Sequence, residues 1–299
     1  MYETFYGFKE KPFALLPDPA FLYLSKRHAE ALAMLEYGLA HRAGIILITG
    51  EIGCGKTTLI RHMLANHEQE LVVGSITNTH KSFGELLKWV NLAFNLDYRA
   101  GDKVDLYKNL TDFLQAEYRL GKRVALVIDE AQNLSEDALE ELRMLSNINV
   151  DKSQVLQLIL VGQPELRDKL LKHELRQLTQ RIAVDYFLEP LSPKEVFQYI
   201  RHRVRVAGAD PDLFDTDAIA QIYKHSRGIP RIVNILSDTA LVYGYAEERS
   251  QIDADTVNEV ISDKKRVSIL PIEQLRKQVD AKQSGVAHLD LGSKEANAL

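Results

Sequence analysis

The chain has 299 residues, 45% of them hydrophobic, which suits one large or two modest domains with a true core. A formal charge of −5 removes any global basic field that would draw it onto nucleic acid or anionic lipid, and the single cysteine, Cys54, excludes an intramolecular disulfide and a cysteine-rich metal site. No apolar run is long enough to span a bilayer, Met1-Tyr2-Glu3-Thr4 has no leader character, and the nine histidines have no metal-ligand spacing, so the expectation is a cytoplasmic location without a membrane span.

Residues 1–24 carry aromatics and prolines (Phe5, Tyr6, Phe8, Pro12, Phe13, Pro17, Pro19, Phe21), which predict an extended strap anchored by its rings rather than a continuous helix. Ala29, Leu32, Leu35 and Leu39 recur at helical spacing and predict a helix over 26–41. From 45 to 190 the signals alternate. Strands are predicted at 45–49, 71–76, 124–128, 155–161 and 183–188, with helices at 56–66, 82–94, 104–119, 135–146 and 164–172. Such alternation implies an α/β domain, a parallel sheet covered on both faces. After Pro190 only helices are predicted. Ser192-Pro193-Lys194-Glu195 is a capping box that opens the first, and helices near 216–226, 230–247 and 253–263 follow. The expected domains are a strap and first helix at 1–43, an α/β core at 44–190, an all-α lid at 191–268 and a polar tail at 269–299.

The loop after the first strand reads Gly50-Glu51-Ile52-Gly53-Cys54-Gly55-Lys56-Thr57, then Thr58, and fits G-x-x-x-x-G-K-[ST]. Glycines let the backbone turn its N–H groups toward phosphates, and the helix that follows adds partial positive charge at the same place. Lys56 suits the β- and γ-phosphates of ATP, and Thr57 suits Mg²⁺. A chance glycine-rich turn would lack the strand before and the helix after. The apolar run Val124–Ile128 ends in Asp129 and Glu130. Ligands of open α/β sheets sit beyond the carboxyl ends of the strands, so Asp129 is expected to hold the metal shell and Glu130 to activate water.

Phosphate loop, acidic strand end and trailing helices together resemble the AAA+ ATPase family. That resemblance implies three further roles. Gln163, after Leu156–Gly162, stands at the sensor-1 position, where the family more often has Asn, Ser or Thr. Arg181, or as second choice Arg176, stands where an arginine enters a neighbouring subunit's site, which implies self-assembly into a ring or filament. Gly228-Ile229-Pro230-Arg231 is similar to the sensor-2 motif and assigns Arg231 to a nucleotide phosphate. Adenine is expected near Leu24–His28. Within AAA+, residues 1–268 look closest to the general secretion pathway protein A (ExeA-like) group, through F-Y-G-F-x-x-x-P-F, P-D-P, I-T-G-E-I-G-C-G-K-T-T, V-I-D-E-A-Q-N-L and L-V-G-Q-P-E-L-R.

Secretion-type members of that group continue into a transmembrane helix and a peptidoglycan-binding domain, and the sequence shows neither, so a soluble form is expected. The resemblance implies an ATP-driven assembly factor for an envelope system (secretion, pilus or polysaccharide export), held at the inner membrane through a protein partner. The rival is a DNA-associated ATPase resembling transposition regulators. For it speak the basic clusters Arg201-His202-Arg203-Arg205 and Lys264-Lys265-Arg266, although charge runs on helices are usually solvated faces. A third alternative is a nucleotide-dependent scaffold. Cys54 inside the loop leaves a thiol-oxidation switch open beside simple tolerance.

Overall fold

The computed structural model describes residues 1–16, 18–67, 70–77, 85–99, 102–150 and 153–267. They form two compact units, one of Leu16–Pro190 and one joining Met1–Leu15 to the chain from Leu191 onward. In chain order the elements begin with α1 (Tyr2–Tyr6) of the second unit. The first unit then runs α2 (Lys26–Ala40), β1 (Ile45–Gly50), α3 (Lys56–Ala65), β2 (Leu71–Ile76), α4 (Leu86–Ala93), α5 (Lys103–Arg119), β3 (Arg123–Ile128) and α6 (Glu136–Leu145). A short antiparallel pair of β4 (Asn149–Val150) and β5 (Ser153–Gln154) follows, then β6 (Leu156–Gly162), α7 (Pro164–Leu170), α8 (Arg176–Thr179) and β7 (Ile182–Leu188). Part of the predicted helix at 82–94 and the tail from 269 fall outside the described residues.

Five strands make one parallel sheet in the order β2-β3-β6-β1-β7. Every residue of β1 and β6 is buried, as the unbroken apolar runs require of strands covered on both faces. The register aligns their carboxyl ends. Ile76 pairs with Ile128, Thr49 with Gly162 and Gly50 with Leu188. Three segments therefore leave the sheet along one edge: the loop after Gly50, the acids after Ile128 and Gln163 after Gly162. Leu86, Leu87, Val90, Leu106, Leu110 and Leu114 of α4 and α5 join one hydrophobic cluster with strand residues Leu126 and Leu158. Helix α2 lies close on the sheet, where a Cβ on Gly38 would stand 2.7 Å from Ile46 Cδ1. The amide of buried Gln157 donates to the carbonyls of Gly38 and Leu39, near the α2 C-terminus, and of Ala43 just beyond it, so a side chain from the middle of the sheet ties down the end of that helix.

The second unit holds α9 (Pro193–Val206), α10 (Thr216–Ser226), α11 (Pro230–Ala246) and α12 (Ala254–Val267). The capping box forms as its sequence dictates: Ser192 Oγ accepts the Glu195 N–H, and Glu195 accepts the Ser192 N–H at 2.9 Å. Asp215 caps α10 through the Ala218 N–H, and Asp253 accepts both the N–H and the hydroxyl of Thr256.

Two expectations change here. Residues 1–15, grouped with the first helix in the expected strap at 1–43, belong to the helical unit. The reason is ring packing and partly buried hydrogen bonds. Tyr2 Oη donates to Asp238 and Tyr6 Oη to the Arg249 carbonyl, while Phe13 meets Phe214 edge to face. Arg203, read as part of an exposed basic cluster, is instead buried at 7% exposure. Its Nε donates to the Pro12 carbonyl, and its Nη1 donates to Tyr199 Oη, which in turn donates to Asn234. The guanidinium is a structural clasp on the strap.

Candidate nucleotide site

The loop after β1 adopts the conformation its glycines allow. Gly53 and Gly55 have φ of 83° and 92°, in the left-handed region that side chains disfavour. Gly55 is the N-cap of α3, so the first N–H groups of that helix open onto the loop. The Lys56 ammonium donates to the carbonyls of Gly50 at 2.8 Å and Glu51 at 2.9 Å, folding back across the loop it follows. Burial holds its pKa below the ordinary lysine value, offset by nearby acids including Glu130 and Asp129. Cys54 turns inward at 1% exposure, and burial pushes its thiol up to about 12. A buried thiol with a raised pKa is a poor nucleophile, which favours tolerance over an oxidation switch. Glu51 and Thr58 are half-buried, and Ile52 is exposed.

A histidine supports the loop from beneath. Ser25 caps α2 by accepting the His28 N–H, and its Oγ lies 2.8 Å from His28 Nδ1. His28 Nε2 lies 3.0 Å from the Cys54 carbonyl, which only accepts, so Nε2 carries the proton and the Ser25 hydroxyl donates to Nδ1. A ring expected beside adenine is thus committed to the loop's own backbone.

The predicted metal and base residues gather along the same sheet edge. Thr57 Oγ1 donates to Asp129 Oδ2 at 2.7 Å, so the two predicted metal ligands already touch. A hydroxyl and a carboxylate at the start of α3 are hard oxygen donors, which fit Mg²⁺. Loop glycines, lysine and helix N-terminus fit a triphosphate. Glu130 has φ of 55°, a left-handed conformation rare outside glycine. Its Oε2 accepts from Gln163 Nε2 at 2.9 Å and from Gln132 Nε2 at 2.5 Å. Gln163, the sensor-1 candidate, therefore contacts the base candidate directly.

Gln132 and Lys169 escaped the sequence reading. Lys169 Nζ donates to the carbonyls of Gln132 and Leu134, each at 2.6 Å, and so pins the turn that follows the two acids. Gln132 sits inside the D-E-A-Q block, but its partner Gln163 lies 31 residues on, so no local signal assigns it a role. Arg176 and Arg181 are exposed beside the amino end of β7, whose other end, Leu188, pairs with Gly50. The length of that strand, about 20 Å at ~3.3 Å per residue, separates Arg181 from the phosphate loop of its own chain. Arg231 is exposed in the first turn of α11 in the helical unit.

A family model described as "AAA domain" matches residues 39–170. General secretion pathway protein A of Aeromonas hydrophila is 41% identical over 254 residues, which cover 84% of this chain and 46% of that protein, so the chain spans about half the length of this curated relative. Among solved structures, the Aeropyrum pernix ORC2 protein in its ADP form matches with a TM-score of 0.64 at 17% identity, over 97% of this chain and 81% of that one. A Walker-type ATPase of Pyrococcus abyssi matches at 0.59 with 18% identity, over 89% and 80%. The Thermotoga maritima RuvB branch migration motor matches at 0.50 with 20% identity, over 81% and 70%. Among the described residues no helix is long and apolar enough to cross a membrane. Its parallel sheet, its phosphate loop and this similarity make the chain a P-loop protein of the AAA+ fold, related to general secretion pathway protein A.

Proposed function

We propose that this chain hydrolyses ATP with Mg²⁺ and uses the cycle to assemble or remodel a protein complex of a bacterial envelope system. One observation carries the chemistry: the Thr57 hydroxyl meets the Asp129 carboxylate where α3 leaves the phosphate loop, and Glu130 is joined to Gln163 on the same sheet edge. The envelope role rests on the 41% identity to general secretion pathway protein A. Lys56 and the loop N–H groups bind the phosphates, and on binding the ammonium exchanges the Gly50 and Glu51 carbonyls for phosphate oxygens. When bound between Thr57 and Asp129, Mg²⁺ would neutralise charge on the β- and γ-phosphates. Glu130 orients the attacking water and takes its proton. Gln163 reads the γ-phosphate. Arg181 of a neighbouring copy completes the site, which the distance from its own loop favours, and makes hydrolysis depend on assembly.

Substitution of two residues tests this reading. Lys56→Ala abolishes binding of a fluorescent ATP analogue. Glu130→Gln binds the analogue but loses turnover by about 10²- to 10⁴-fold, the range for a positioned general base. Normal hydrolysis by the Glu130 variant overturns the base assignment. ATPase assays across salt, with and without duplex DNA, separate the rival: stimulation by DNA that salt removes would favour a DNA-associated ATPase. The net charge of −5 and the burial of Arg203 speak against that rival.

A further inference from the structure

Between Glu130 and Gln163 stands a side chain to which no role has been assigned. Gln132 Nε2 donates to Glu130 Oε2 at 2.5 Å, and Gln132 Oε1 accepts the backbone N–H of Gln163 at 3.1 Å. The network fixes this amide's orientation, because a flipped amide would set its oxygen against a carboxylate and its NH₂ against an N–H. The backbone beneath is held as well. Residues 131–133 form a 3₁₀ turn with Ala131 fully buried, Leu134 is 1% exposed just after it, and the Lys169 ammonium holds the Gln132 carbonyl. Space is matched too. A Cβ on Gly162 would come within 3.1 Å of Gln132 Oε1, so glycine before the sensor leaves the room that this amide fills.

We propose that Gln132 is a positioning residue for hydrolysis: one amide ties the carboxylate of Glu130 to the backbone of Gln163, so that the group activating water and the group reading the γ-phosphate move as one unit. The proposal rests on the functional reading above. Glu130 needs such a tie because its backbone is in the left-handed region, a conformation that persists only where neighbours over-determine it. Gln163 supplies one contact to the carboxylate. Gln132 supplies a second and ties both residues to a turn that the core and Lys169 hold still. A shift of the base by about 1 Å is enough to cost on the order of 10²-fold in rate.

The test uses Gln132→Ala and, to preserve volume without hydrogen bonds, Gln132→Met. Both are expected to lower kcat by about 10- to 100-fold, with KM and the Kd of a fluorescent ATP analogue unchanged within about twofold. In nucleotide-free protein the Gln163 amide should exchange its hydrogen at least about tenfold faster, since its acceptor is gone. Placed in the Glu130→Gln background, either substitution should cause no further loss of kcat, because the group it positions has already been removed. Wild-type kcat in both variants, unchanged Gln163 exchange, or an equal loss in the Glu130→Gln background would each overturn the bridge. The two readings fail differently. An inactive Glu130→Gln beside fully active Gln132 variants refutes the bridge alone, whereas an active Glu130→Gln refutes the base assignment and the bridge with it.

Discussion

Replacing Arg203 by alanine should loosen the N-terminal strap without touching the sheet unit. The guanidinium is 7% exposed and makes two close hydrogen bonds, Nε to the Pro12 carbonyl and Nη1 to Tyr199 Oη at 2.9 Å. A third, from Nη2 to the Ala14 carbonyl at 3.4 Å, is too long to count for much. A hydrogen bond from a charged donor contributes about 1.5–3 kcal/mol, and alanine also leaves the Pro12 carbonyl without its donor. Against this stands the relief of no longer burying a cation. The expected net loss is about 2–4 kcal/mol, within the range for breaking a buried polar network. Urea unfolding followed by circular dichroism should show it, while the fluorescence of Trp89, which lies in α4 of the sheet unit, keeps its midpoint. Hydrogen exchange gives the local readout: the Lys9 amide, bonded to the Ala207 carbonyl at 2.8 Å, should lose protection. A loss under about 0.5 kcal/mol, the ordinary size of a surface substitution, would refute the clasp and return Arg203 to the exposed basic cluster.

Four other outcomes are expected. At pH 8 a thiol held at about 12 ionises roughly a thousandfold less than an ordinary one, so Cys54 should react with a disulfide reagent about 10³-fold slower in native than in urea-unfolded protein. Since the native thiol pKa is raised, its contribution to stability is complete below the ordinary thiol value and is lost as pH climbs toward 12. Native reactivity equal to that of the unfolded chain would refute its burial. Gly228→Ala should unfold the helical unit at markedly lower temperature, because φ is 79° and the new Cβ would stand 1.9 Å from the Leu191 carbonyl oxygen; an unchanged melt would refute the close approach. Gln157→Leu removes the donor shared by three carbonyls at the end of α2 and should cost about 1–3 kcal/mol by chemical denaturation, whereas a stabilised variant would contradict the role given to that amide. Arg181→Ala should lose ATPase activity and regain part of it when mixed with Glu130→Gln subunits, and failure of that mixing experiment counts against an arginine supplied by a neighbouring copy.

The helices of the second unit were legible because their signals are local. A serine, a proline and a glutamate within four residues announce α9, and the capping bonds form among those same residues. The strap was misread for the opposite reason. Its rings declare that it must pack somewhere, but hydrophobic burial has no direction. What chose the helical unit was a set of partners more than 180 residues away, such as Arg203 for Pro12 and Asp238 for Tyr2.

The phosphate loop was decided by the sequence itself, since glycines at 53 and 55 are what the backbone needs to reach φ of 83° and 92°, and those torsions belong to the residues themselves. Asp129 and Glu130 were likewise readable from a buried apolar run that ends in charge, because a parallel strand delivers whatever follows it to one edge. Tertiary structure alone decided what those groups touch. His28 beneath Cys54, Gln132 between Glu130 and Gln163, and Lys169 under the turn are contacts between segments that only the sheet order brings together. A polar side chain in sequence shows which bonds it is able to make, and only the fold supplies the partner.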